Sequence, residues 1–128
     1  MEIAGRVIAF LVGFGFLAGA FGFVLTPGMM EPDFSIVATR IDGMGTLRAN
    51  VGGAFAGLAL FAFAGMRRSQ AHWLLVPLVF MGVYLLIRLG HLAIDGVTAN
   101  GIRSTVVDIV LVILLYGAHR MLARAHRR

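Results

Sequence analysis

The sequence predicts an all-α fold: a polytopic membrane four-helix bundle with both termini in the cytoplasm. Of its 128 residues, 59% are hydrophobic and 13% are charged, and the mean hydropathy is +0.91. A soluble domain of this length exposes too large a share of its surface to hide so much apolar area. The apolar residues are also gathered into long runs without charges, which is typical of membrane-spanning helices.

Four apolar segments each approach the ~20 residues with which a helix crosses hydrocarbon. They form one membrane domain, residues 1–128, with spans at about 7–25, 49–66, 73–94 and 105–122. The first three end at residues that stop helices or carry charge: Thr26-Pro27-Gly28, Arg67-Arg68 and Asp95-Gly96. The short alternating strands of a membrane barrel are absent from the sequence, so we expect helices.

The first span has an alternative interpretation as a secretory signal. Its charged start, its apolar stretch and the small residues Ala18, Gly19 and Ala20 resemble a signal peptide with a cleavage site. The apolar run continues past that site to Leu25, which favours a true first span.

The connection between the first two spans, residues 29–46, is predicted to contain a short interfacial helix. Phe34, Val37 and Ile41 fall on one helical face, and the charged residues lie largely elsewhere. Such an amphipathic segment would lie over the outer mouth of the bundle.

All eleven basic residues are arginine, and their distribution predicts the orientation. The positive-inside rule places both termini in the cytoplasm, because the outer side carries a nearly balanced set of charges. The net charge of +5 therefore reflects topology, and we predict no nucleic-acid partner. The absence of cysteine excludes disulfides and thiolate metal sites. The inner side receives Arg6, Arg67, Arg68, Arg120, Arg124, Arg127 and Arg128.

Small residues recur every four positions in the first two spans. This spacing lets helix backbones approach closely, which matters because lipid gives helices no hydrophobic drive to associate. We predict that the two spans pack along these rows, which consist of Gly5, Ala9 and Gly13, of Gly15 and Gly19, and of Ala49, Gly53 and Gly57.

Three ionisable residues share one helical face near the outer end of the third span. Arg88, His91 and Asp95 are spaced i, i+3 and i+7 in the stretch YLLIRLGHLAIDG. Arg88 lies roughly 10 Å deeper than Asp95 at 1.5 Å per residue. Because an unpaired arginine in lipid costs several kcal/mol, we expect an internal partner or a wet cavity. Asp108 enters from the same side and is the predicted partner, with Arg48 and Asn50 joining the cluster.

Each member of the cluster also has a purely structural interpretation. Thr105 and Asp108 match the T-x-x-D capping pattern, which would make Asp108 a helix-start residue. The whole cluster either holds the helices together or forms a ligand site. His72 and His119 form a second possible pair near the cytoplasmic face, where solvated histidines are favoured over haem ligands. We predict no metal and no cofactor.

Three stretches resemble a family of small bacterial four-helix membrane proteins of unknown function, which is itself distantly DoxX-like: TLRANVGGAFAGLALF, IRLGHLAIDG and DIVLVILLYG. In that family an arginine precedes a Gly-Gly pair, as Arg48 precedes Gly52 and Gly53 here. A basic residue, here Arg88, leads into an Asp-Gly turn, and an acid, usually glutamate and here Asp108, opens the last span. The resemblance implies a four-helix fold in the bacterial inner (cytoplasmic) membrane with a recurring polar cluster.

Two functions are consistent with the sequence. The first is a non-enzymatic accessory or assembly subunit, or a small scaffold, that binds neighbouring membrane subunits and lipid. The alternative is a bundle that binds or transforms an apolar ligand, a quinone or an isoprenoid lipid, at the outer polar cluster. The sequence leans against an enzyme, because it contains no recognisable nucleophile, metal or phosphate-binding motif.

Overall fold

The computed structural model describes residues 1–34, 36–67 and 69–125, and within these ranges every regular element is a helix. Four of the helices are long and apolar enough to cross a membrane. The helices are α1 (Glu2–Leu25), α2 (Pro27–Phe34), α3 (Ile41–Gly65), α4 (Ala71–Ile94) and α5 (Ala99–Ala125).

All four long helices begin before the apolar runs that predicted them. The largest differences are at the starts of α3 and α5, which begin eight and six residues before the predicted spans at 49 and 105. An apolar run reports only the part of a helix that matches the hydrocarbon, whereas backbone hydrogen bonding continues into the polar flanks.

The prediction of one short helix within residues 29–46 is only partly correct. Helix α2 ends at Phe34, residues 36–40 are not helical, and residues 41–46 are the first turns of α3. Branching at Cβ in Ile36, Val37 and Thr39 favours extended backbone over helix. The face predicted from Phe34, Val37 and Ile41 therefore does not exist as one helical surface.

Helix α3 contains a π-helical stretch, Leu47–Gly52, near its start. Such a stretch bonds residues five apart, where an α-helix bonds residues four apart. Leu47 and Gly52, five apart, are both buried on the inner face, and Arg48 and Asn50 between them are exposed.

The helices pack in the order α3, α1, α5 and α4. Helix α1 lies against both α3 and α5, α5 lies against α4, and α4 meets α3 mainly through its first turn, Ala71–Leu74. Apolar packing is densest in the half of the molecule that contains the start of α1 and the end of α5. Leu74, Leu115 and Leu122 are fully buried there. We call the opposite end the distal end.

Four of the seven arginines predicted for the inner side lie within the described residues, at the end opposite the distal end. Gly5 at the start of α1 lies close to Met121 near the end of α5, and the His119 ring hydrogen-bonds the Ala71 carbonyl. These contacts bring together the starts of α1 and α4 and the end of α5. Arg6, Arg67, Arg120 and Arg124 are at or next to these segments, whereas Arg68, Arg127 and Arg128 lie outside the described residues.

Only part of the predicted glycine packing is present. A Cβ on Gly13 would stand 2.8 Å from the Phe63 ring, and one on Gly19 would stand 3.0 Å from the Phe55 ring, so these glycines allow α1 to approach α3 closely. Gly5 faces α5 instead.

The predicted row on α3 is wrong as a contact with α1. A Cβ added to Gly53 or to Gly57 would meet no other part of the described chain within 4 Å, and the same holds for Gly15 on α1. The glycine of α3 that meets α1 is Gly52, next to Val24 and Phe23. A four-residue spacing identifies a face of small residues, but it does not say which neighbour that face meets.

Candidate functional site

The predicted ion pair between Arg88 and Asp108 is present at the distal end. The Arg88 Nε donates a hydrogen bond to the Asp108 Oδ2 at 2.6 Å, and the two side chains are 23% and 8% exposed. Asp108 lies about 14 Å along α5 from its first residue, at 1.5 Å per residue. A charge-assisted hydrogen bond between largely buried groups links α4 to α5 at this depth.

Asp108 is therefore not a helix-start residue, and the capping interpretation is wrong. Helix α5 begins six residues before Thr105, and Thr98 provides the cap by accepting the Gly101 N–H on its hydroxyl at 3.0 Å. The Thr105 hydroxyl donates to the Gly101 carbonyl at 2.8 Å, inside the helix. Because Thr98 satisfies the helix start, the Asp108 carboxylate is available to Arg88.

Arg88 is held on a second side by an aromatic ring. Its guanidinium carbon lies 5.1 Å from the centre of the Tyr84 ring, one helical turn earlier on α4. The terminal nitrogens of the guanidinium make no hydrogen bond within the described part of the chain, and they are not enclosed. Asp108 and Tyr84 thus fix the orientation of Arg88, which also lines a neighbouring cavity.

The cavity lies between α4, α5 and the segment around the end of α2, and its volume is about 660 Å³. This is within the range of small-molecule sites, roughly 300–1,000 Å³. Its wall combines apolar and aromatic side chains with charged ones. It is formed in part by Phe34, Tyr84, Arg88, Ser104, Val107 and Asp108.

The end of α2 forms the roof of this cavity and is anchored by an aromatic cluster. The Phe34 ring packs edge-on against Phe23 at 4.7 Å and against Phe55 at 6.1 Å between centroids. Next to it, the Asp33 carboxylate accepts a hydrogen bond from Arg103 at 3.3 Å. That second contact is weak because both charged groups are more than half exposed.

The structure brings only part of the predicted cluster together. His91 lines the cavity, whereas Asp95 does not. The His91 Nδ1 lies 2.7 Å from the Asp95 Oδ2, and both side chains are exposed. Arg48 and Asn50 are not part of the cavity wall, which corrects their predicted membership. The reason is the packing order, because α1 separates the start of α3 from α4 and α5.

Several wall residues were missed from the sequence. Tyr84 precedes Arg88 by four residues, and Asn100, Ser104 and Asp108 follow one another at the same spacing on α5. This i, i+4, i+8 row of polar residues on an apolar helix was a usable signal. It was overlooked because the helix was predicted to begin at residue 105.

The histidines at the other end of the helices have separate partners. The His119 Nδ1 is 3.0 Å from the Ala71 carbonyl oxygen, and the His72 ring lies beside the Trp73 ring at 5.0 Å. Among the described residues, no group of three or more histidine, aspartate or glutamate side chains is arranged to hold a metal ion.

Four long apolar helices with an ion pair and a cavity at one end are features of a helical membrane protein. No protein-family model, curated protein or solved structure matches the chain. The DoxX-like resemblance therefore stays an expectation, and a functional proposal has to rest on the site itself.

Proposed function

We propose that this chain is a multi-pass protein of the bacterial inner membrane that binds an apolar small molecule, of the quinone or isoprenoid-lipid kind, in the distal cavity. In this proposal the four long helices form a membrane bundle with both termini in the cytoplasm, and the cavity lies in the outer half of the bilayer. The cavity size and its location between two helices are those of small-molecule sites in bundles.

The observation that carries the proposal is the incomplete hydrogen bonding of Arg88 among the described residues. A pair that only joined two helices would best be surrounded by protein, with all of its donors satisfied. Here Asp108 binds one guanidinium nitrogen, the others have no hydrogen-bond partner among the described residues, and Arg88 lines a cavity large enough for a ligand. Ionisable residues inside membrane spans are rare, and where they face a cavity they are candidates for a functional site.

Native mass spectrometry of the protein, gently extracted from its host membrane, tests this function. We expect a bound small molecule on the wild type and on Arg48→Ala, an arginine at the same end that does not line the cavity. We expect its loss from Arg88→Ala and from the double variant Arg88→Met with Asp108→Leu, which removes both charges together. A bare wild-type protein, or a ligand retained by a folded double variant, would contradict the proposal.

A second candidate function, an accessory subunit or small scaffold, is favoured by the row of small residues on α3 that does not contact α1. Ala49 and Gly53 are exposed, and no other part of the described chain approaches Gly53 or Gly57. Small residues at this spacing accept a neighbouring helix. Co-purification of a stoichiometric membrane subunit with the wild type, and its loss from Gly57→Leu, is the result expected of this function.

The proposed orientation can be tested directly, because the chain contains no cysteine. Thr39, between α2 and α3, and Ser69, between α3 and α4, are exposed on opposite ends of the helices. With both termini in the cytoplasm, a membrane-impermeant maleimide should label Thr39→Cys in intact cells and label Ser69→Cys only after the cells are opened. The reverse labelling pattern would invert the topology.

A further inference from the structure

We propose that the ligand of the distal cavity has an uncharged headgroup that accepts hydrogen bonds, such as a carbonyl, joined to an apolar tail. This inference rests on the proposed function and specifies the chemistry of the ligand. Three features of the cavity support it: the free donors, the balance of charge and the path open to a tail.

The cavity wall presents several hydrogen-bond donors that have no partner among the described residues. The terminal N–H groups of Arg88 have no partner within the described residues, and neither does the Ser104 hydroxyl. The Thr98 hydroxyl already accepts the Gly101 N–H and retains its own proton for donation. The carboxylates of Asp33 and Asp108 each accept a hydrogen bond from an arginine through one of their two oxygens. A ligand that satisfies these donors therefore has to present acceptor oxygens.

The formal charges in the wall are balanced before any ligand binds. Arg88 is paired with Asp108, Arg103 is paired with Asp33, and His91 is hydrogen-bonded to Asp95. A charged ligand would enter a partly buried site in which the described residues offer no unpaired opposite charge. The free energy lost when the charged group leaves water would therefore be poorly compensated. A neutral oxygen receives strong hydrogen bonds from the arginine without bringing a charge into the cavity.

The cavity shares Tyr84 with an apolar surface along which a tail can leave. Tyr84 borders both the cavity and an exposed strip of α4 that extends back to Leu75. The strip from Leu75 to Ile87 is about 18 Å long at 1.5 Å per residue, and nearly all of its surface is apolar. Lipid already covers such a face in a membrane, so the tail adds little binding free energy there. The headgroup therefore has to distinguish one ligand from another.

The test uses three single-chain amphiphiles with the same alkyl tail and a methyl ketone, a carboxylate or a trimethylammonium headgroup. Each is titrated against the full chain in mild detergent micelles, with bound ligand counted by native mass spectrometry. We expect the ketone to bind at least ten-fold more tightly than either charged compound. Ser104→Ala should weaken ketone binding several-fold, whereas Ser69→Ala, a serine at the opposite end of the helices, should not change it.

The outcomes separate the inference from the proposed function. Tighter binding of the carboxylate or of the ammonium compound would overturn the uncharged headgroup and leave a ligand-binding cavity in place. Unchanged ketone affinity in a folded Ser104→Ala variant would place the ketone outside this cavity and would also overturn the inference. Failure of all three probes, together with a wild-type protein that carries no ligand from its own membrane, would overturn both proposals.

Discussion

Replacing Asp108 with asparagine should destabilise the protein by about 3 kcal/mol, the lower end of the ~3–5 kcal/mol lost when one partner of a buried ion pair is removed. Asparagine keeps the volume and one acceptor oxygen for the Arg88 Nε, so the change isolates the charge. The guanidinium then loses its acidic partner, and an uncompensated charge within a membrane span is costly. The lower end applies because Arg88 is 23% exposed and can partly reorient.

Denaturant unfolding in mild detergent micelles, followed by far-ultraviolet circular dichroism, measures this effect. The double variant Arg88→Met with Asp108→Leu should recover most of the lost stability, because two apolar side chains of similar size need no charge compensation. It should still fail to bind ligand, which separates the role of the pair in stability from its role in the cavity. Wild-type stability in Asp108→Asn would show that the contact contributes nothing to the fold.

Replacing Gly13 with leucine is the change with the second largest expected effect, a destabilisation of about 2 kcal/mol within the ~1–3 kcal/mol typical of overpacking. A Cβ at this position would stand 2.8 Å from the Phe63 ring and 3.2 Å from the Cβ of Ala62, which is fully buried. The ring can turn, but the Ala62 backbone has to move with α3. The interface between α1 and α3 therefore has to open.

Gly57→Leu is the matched control, because it makes the same substitution on the facing helix where no other part of the described chain lies within 4 Å. Both variants gain the roughly 1 kcal/mol by which leucine exceeds glycine in helix propensity, so their difference reports packing alone. Thermal unfolding of the two proteins in the same micelles should show a lower transition only for Gly13→Leu. Equal transitions would mean that α1 does not meet α3 through Gly13.

Local chemistry made several parts of this protein predictable from sequence. The four apolar helices follow from the hydrophobic runs, and the turn after α4 follows from Asp95-Gly96, where glycine takes a φ of +106° that other residues rarely adopt. The pairing of Arg88 with Asp108 was also predictable, because an arginine two turns inside a span requires a partner entering from the same side.

The start of α5 shows where local signals compete. Thr98 and Thr105 are both able to cap a helix, and the apolar run favoured the later one. The hydrogen bond from the Gly101 N–H to Thr98 shows which threonine does so. That choice buries Asp108 well inside the helix and places Asn100 and Ser104 on the cavity wall.

The sequence by itself thus determined the four long apolar helices and the need of Arg88 for an acidic partner, because hydrophobicity, turn chemistry and charge burial are properties of single segments. Only the tertiary structure decided which small-residue faces meet, why Arg48 and Asn50 stay outside the cavity, and how Phe34 forms its roof. Those outcomes depend on the order in which the helices pack. Lipid and neighbouring helices are about equally apolar, so hydrophobic pattern cannot distinguish one helix face from another, and close steric fit between distant residues makes the choice.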